Sequence, residues 1–241
     1  MIYFYDGSQD AFLTAFVRAF QDRDARLTST RCQLTLGQET VFVNADSACA
    51  ARARARLSSF DKNFPHDLDR LLRSGSESKD AVAFAYFRLL AQKKRPVRGM
   101  MAESAVLNAE ELMRKVSHEI DRMYGFIRFT ESASGALYAP IAPDNDICDL
   151  ILPHFRARLP HFPFVIHDVK RKKAAVYDGE NTFYAPLERA EVVLSADETA
   201  WQNLWKSYFS AVNIPSRERL KQQRSYLPVR YRKLMTEFSP T

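Results

Sequence analysis

From Glu103 to Tyr124 the chain runs twenty-two residues without a glycine or a proline. Ala105, Ala109, Leu112, Met113, Val116, Ile120 and Met123 recur there on one helical face. Glu111 and Lys115 stand four apart, a favourable pair on the solvent side. A helix this long with only one apolar stripe must be packed against something, so the flanking segments have to supply a core. Gly125 follows and reads as the helix stop.

Those flanks alternate between strand and helix signals. At the start, Ile2–Tyr5 reads as a strand, Asp6-Gly7-Ser8 as a turn with Ser8 as N-cap, and Phe12, Leu13, Phe16, Ala19 and Phe20 as a helical stripe. Thr40–Val43 is a second strand, stopped by Asn44-Ala45-Asp46. The Ala/Arg run from Ala50 to Arg56 predicts a helix, because alanine is a poor strand former. Ser74–Ser78 reads as a loop, with Asp80 capping a helix through about Leu90. The basic connector Lys93–Arg98, broken by Pro96 and ended by Gly99, is the expected lobe boundary.

Beyond the long helix, Phe126–Phe129 and Ala136–Ala139 read as a hairpin around Ser132–Gly135, with Arg128 and Phe129 on opposite sheet faces. Asp144 or Asp146 is the expected cap of a helix through Arg158. Phe164–His167, Ala174–Tyr177 and Thr182–Tyr184 read as strands, the last two joined at Asp178-Gly179. Ser195 and Glu198 have capping-box spacing. Trp201, Leu204, Trp205, Tyr208, Phe209 and Val212 then follow the helical template. The expected fold is α+β: an α/β-like N-terminal lobe over 1–98, then a C-terminal lobe over 99–241 of antiparallel strands with packed helices and a basic tail.

Charge sharpens the picture of that tail. The first 150 residues balance 20 Lys plus Arg against 20 Asp plus Glu, so residues 151–241 carry the whole net charge of +6. Between Lys206 and Met235 stand eight cations (Lys206, Arg217, Arg219, Lys221, Arg224, Arg230, Arg232 and Lys233) against Glu218 alone. Tyr226 and Tyr231 are interleaved with them. Arginine pairs with phosphate and stacks on aromatic faces, and tyrosine offers a plate for an unpaired base. The competing reading packs Tyr226, Leu227 and Tyr231 onto the Trp201/Trp205 helix and leaves the cations solvated.

Several chemistries are excluded or weakened. Cys32, Cys49 and Cys148 are too few and too scattered for a disulfide framework or a thiolate zinc site, and Cys148 reads as a buried thiol. Neither G-x-G-x-x-G, a P-loop nor G-x-S-x-G occurs. His154, His161 and His167 lack metal-ligand spacing, so no metal and no cofactor is expected. The longest apolar run, Ala81–Phe87, cannot span a bilayer, and the N-terminus lacks a leader pattern, so a cytoplasmic protein with reduced thiols is expected. Glu119, Arg122, Arg128 and Glu131 flank the junction at Gly125. They form structural ion pairs or, alternatively, bind a phosphate or orient a base.

The motifs Glu119-x-x-Arg122-x-x-Gly125-Phe126-x-Arg128-Phe129, Pro153-His154-Phe155 with Arg158, and Phe164–Asp168 with Lys170-Arg171 occur in order. They continue through Leu204-Trp205-x-x-Tyr208-Phe209, Ile214-Pro215-x-Arg217 and Leu227-Pro228-x-Arg230-Tyr231, with Tyr5–Ser8 at the start. Together they resemble the bacterial "probable DNA metabolism protein" family. That family is a domain of unknown function encoded beside a radical SAM protein assigned to DNA modification or repair. Related domains are fused to uracil-DNA glycosylase-like domains. Two positions depart from the pattern: Arg232 stands where an aromatic commonly follows the Arg-Tyr pair, and Asp121 where a histidine commonly precedes the junction arginine.

The basic tail with its interleaved tyrosines, joined to the setting that the resemblance implies, points to a nucleic-acid-binding accessory protein in DNA repair or modification, with a radical SAM partner. Its expected DNA is single-stranded or carries a flipped base. The expected contacts are Arg122, Arg128, Arg158, Arg171, Arg217, Arg224, Tyr226, Arg230, Tyr231 and Arg232. The alternatives are a metal-free enzyme on a DNA base or phosphodiester, glycosylase-like or nuclease, with Glu119, Glu131, His154 and Asp168 as candidates, or a protein-binding scaffold.

Overall fold

The computed structural model describes residues 1–30, 39–217 and 219–238. Cys32 and Glu218 therefore lie outside the described residues. The fold is α+β, with one three-stranded and one five-stranded sheet. Contacts divide the chain into residues 1–118 and 119–241.

In the first unit, β1 (Ile2–Phe4) leads through a turn at Gly7 into α1 (Gln9–Ala19). Ser8 caps α1, its Oγ accepting from the Ala11 amide at 3.2 Å. Gly7 has φ +90°, a conformation that costs an L-residue side-chain strain. β2 (Arg26–Thr28) and β3 (Thr40–Phe42) pair with β1 on either side, both parallel. Around them lie α2 (Ser47–Phe60), α3 (Phe64–Arg73) and α4 (Lys79–Lys93), joined by the first part of α5 (Ser104–Phe126). Asp46 caps α2 by accepting the Cys49 amide. The α5 stripe is buried from Val106 to Val116, and Glu111–Lys115 forms its ion pair at 2.7 Å.

Two expectations change here. Asp80 is no cap: it sits one residue inside α4, almost fully buried. It accepts from the Tyr5 hydroxyl at 2.6 Å and from the Ser29 amide and hydroxyl at 2.6 and 2.8 Å. Burial, and then the Asp80 charge, push the Tyr5 phenol far above its ordinary range. The connector 93–99 also belongs with the first unit. Val97 is buried, and Arg98 reaches the buried Asp67 at 2.5 Å and Glu110 at 3.2 Å. The division by contacts falls twenty residues beyond the expected boundary at Gly99, within α5.

The second unit begins with the last turns of α5. Gly125 does not end the helix; Ile127 still donates to the Met123 carbonyl at 3.2 Å, and α5 continues to Phe126. Residues 126–129 are consequently not a strand, and Arg128 and Phe129 do not alternate across a sheet. The strand is β4 (Thr130–Glu131), antiparallel to β5 (Leu137–Ile141). After α6 (Cys148–Arg158) come β6 (Phe164–Asp168), β7 (Lys173–Tyr177) and β8 (Thr182–Pro186), giving the order β4-β5-β6-β7-β8. β7–β8 is a hairpin, with the Asp178 carboxylate accepting the Glu180 and Asn181 amides.

The sheet is not wholly antiparallel: β5 and β6 run parallel, because α6 provides the crossover that a parallel pair needs. Asp144 and Asp146 do not cap α6, which starts after Ile147 with no side-chain cap. Asp146 pairs with Lys173 instead. The expected capping box is absent too. α7 (Glu198–Ala211) starts at Glu198, whose carboxylate accepts the Glu131 amide at 2.9 Å, while the Ser195 hydroxyl donates to Glu131 at 3.3 Å. A 3-10 turn at Pro215–Arg217, then α8 (Leu220–Tyr226) and α9 (Val229–Arg232), complete the tail.

Candidate functional site

The four candidate catalytic groups occupy four separate settings. Glu119 is buried and saturated: it accepts the Asp144 amide at 2.8 Å, the Asn145 amide at 2.8 Å, Asn145 Nδ2 at 2.6 Å and the Tyr231 hydroxyl. Asp168, with no exposure, accepts the Lys170 and Arg171 amides and the Arg171 guanidinium at 3.0 Å. Glu131 meets Ser195. The His154 ring stacks on Tyr124 with centroids 4.0 Å apart, and its buried Nε2 has no hydrogen-bond partner among the described residues. Among the described residues no hydrogen bond or ion pair joins any two of the four. With four donors Glu119 has no lone pair left for proton transfer, and Asp168, with three, keeps one.

His167 is also structural in its contacts. Its Nε2 lies 2.9 Å from the Leu187 carbonyl, which only accepts, so Nε2 carries a hydrogen, and in the neutral ring Nδ1 accepts from the Tyr138 hydroxyl at 2.7 Å. Cys148 donates to the Ile166 carbonyl at 3.3 Å, and burial pushes its thiol up to about 11. No cluster of three His, Cys, Asp or Glu suited to a metal occurs among the described residues.

The candidate arginines sort into two groups. Arg128 is spent: it makes a two-pronged pair with Glu237 at 2.7 and 3.2 Å, donates to the Gly125 carbonyl at 2.7 Å, and lies 5.5 Å from the Trp205 ring. Burial would raise the Glu237 carboxyl, but Arg128, the backbone and Trp205 together hold it below its ordinary value. Arg171 clamps the 143–144 carbonyls and Asp168. Arg230 pairs with Asp144 at 2.8 Å and lies over the Tyr231 ring. Arg232 bonds the Leu227 carbonyl and Gln223. Tyr231 is buried on Glu119 and beside Phe126, and burial and then that carboxylate raise its phenol well above the ordinary value.

In contrast, the guanidinium groups of Arg122, Arg158, Arg217 and Arg224 meet no acceptor among the described residues. Arg217 and Arg219 line an open groove of about 580 Å³ between the end of α7 and α8. Phe209, Asn213, Leu220, Gln223 and Tyr226 are among its other wall residues, and no carboxylate lines it among the described residues. Tyr226 is 71% exposed, so it does not pack on the Trp201/Trp205 helix. What packs there is the chain end: Phe238 meets Phe209 edge-on, and Trp205 Nε1 donates to Glu237 at 3.2 Å. The α7 stripe itself stays open to solvent, with Trp201 at 61% and Tyr208 at 56%.

A comparison with protein families matches residues 77–237, two thirds of the chain, to one model. The chain belongs to the DUF4130 family. That family is described as a domain of unknown function. No curated protein and no solved structure matches this DUF4130 chain. The matched stretch contains the whole α7–α8 groove and every candidate residue named above.

Phe209, Arg219 and Gln223 were not among the expected contacts. The one sequence signal for them is Pro215, which ends α7's pattern and lets α8 lie beside it. No described helix is long and apolar enough to cross a membrane.

Proposed function

We propose that this DUF4130 protein binds single-stranded nucleic acid, and does so as an accessory to DNA repair or modification beside a radical SAM enzyme. The observation that carries the binding part is the α7–α8 groove. Arg217 and Arg219, whose guanidiniums meet no acceptor among the described residues, stand beside two aromatic rings, Phe209 and Tyr226, and a set of side-chain amides. Cations attract the phosphates, exposed rings stack unpaired bases, and amides bond base edges. The accessory role rests on the resemblance of the motif series to the DNA-metabolism family.

The test is fluorescence anisotropy with a labelled single-stranded oligonucleotide across a salt series. Affinity should fall linearly on logarithmic axes as salt rises. Arg217→Ala with Arg219→Ala should make that slope shallower by about 1.4, at about 0.7 per phosphate contact. Tyr226→Ala should cost roughly 1–3 kcal/mol of binding. Absence of binding at low salt, or binding indifferent to salt, would sink the proposal.

A protein-binding scaffold is the second reading, favoured by the open apolar stripe of α7. Contiguous exposed apolar surface marks interaction sites.

A further inference from the structure

A second cationic cavity lies in the first unit, far in sequence from the tail. Its wall is one face of α4, where Arg88 and Gln92 stand one turn apart over Ala81, Ala85 and Leu89. Arg23, in the turn after α1, and Arg26, on the edge strand β2, contribute two more guanidiniums. Glu103 and Ser104, at the start of α5, close the remaining side.

Among the described residues, three arginines thus share one cavity with a single carboxylate. Arg88 is oriented by donating to the Asp22 carbonyl at 3.1 Å and by lying 5.5 Å from the Phe84 ring. No carboxylate pairs with Arg23, Arg26 or Arg88 among the described residues. Like charges lining one cavity repel unless an anion sits among them. The volume, about 370 Å³, suits a small-molecule ligand.

We infer that this cavity binds a phosphomonoester carried on a compact, partly apolar body, a nucleoside monophosphate. The arginines supply bidentate phosphate contacts. Glu103 only accepts, so it repels a second phosphate but takes a hydrogen bond from a ribose hydroxyl or a base amine. Gln92 both donates and accepts, and Ala81, Ala85 and Leu89 meet the apolar part of the ligand.

The test is isothermal titration of the full chain with adenosine monophosphate and with adenosine. The monophosphate should bind, and adenosine should bind at least tenfold more weakly. Arg23→Ala with Arg26→Ala, both at exposed positions, should weaken the monophosphate at least tenfold while leaving the far-ultraviolet dichroism unchanged. Arg217→Ala with Arg219→Ala should leave it unaltered, which separates this site from the tail groove. No binding of the monophosphate overturns the inference. So does equal binding of adenosine, or affinity unmoved by the Arg23/Arg26 change.

Discussion

Two stretches of the tail share a composition and meet opposite fates. Residues 213–226 contain Arg217, Arg219, Lys221, Arg224 and Tyr226; residues 228–238 contain Arg230, Arg232, Lys233 and Tyr231. The first stretch buries no side chain among its described residues, and none of its arginines is paired there. The second buries Tyr231 and Met235, and its arginines are bonded to acceptors. The difference lies in what reaches them. Glu119 and Asp144 approach the second stretch from elsewhere in the unit, whereas among the described residues no carboxylate approaches the first. Interleaved arginine and tyrosine therefore mark equally well a latch and an open, unpaired surface among the described residues.

The sharpest way to break this contrast is at Glu119. Glu119→Ala would strand the Tyr231 hydroxyl and three donors of the 144–145 loop, and should cost about 3 kcal/mol of stability by urea denaturation. A loss below about 1 kcal/mol would mean the latch is not formed in solution.

Next comes Glu237, which ties the end of the latch to Arg128. Glu237→Gln should cost roughly 1–2 kcal/mol at neutral pH. The folded-state carboxyl lies below its unfolded value. Its contribution is thus full above the ordinary carboxylate range and is lost as pH falls through that range and below it. Urea midpoints measured from pH 7 to pH 3 should fall more steeply for the unaltered protein than for the variant; parallel curves would refute the pairing.

The smallest effect is expected in the open stretch. Leu220→Ser, at a residue 58% exposed in the groove wall, should change stability by less than about 0.5 kcal/mol. A larger loss in the same urea assay would show that Leu220 packs against something and would erase the contrast.

Periodicity made the long elements readable. The α5 and α7 stripes survive because one face repeats over several turns, and the Asp178-Gly179 turn chemistry marked the β7–β8 hairpin. Short elements were not readable: β2 is three residues with one buried side chain, so no alternation exists to detect. α3 has no counterpart among the expected helices, although Phe64, Leu68, Leu71 and Leu72 carry a helical pattern and are all buried. The parallel β5–β6 pair escaped because strand direction is decided by a partner 27 residues away. The cap readings at Asp80 and Ser195 failed for one reason. Asp80 and Glu198 satisfy distant donors, Ser29 and Glu131, and tertiary demand displaced the local bond. At the candidate site the cationic excess was visible in the sequence. Which cations are neutralised was not, because Arg128 finds Glu237 109 residues away.

The bond from Tyr231 to Glu119 spans 112 positions. During synthesis the carboxylate emerges first, and at about 5–20 residues per second its phenol follows roughly 6–20 seconds later. A ribosome-bound chain therefore carries its second unit unlatched for that interval. Chains released before Tyr231 would leave Glu119 without that donor, which makes the tail the step that completes the second unit.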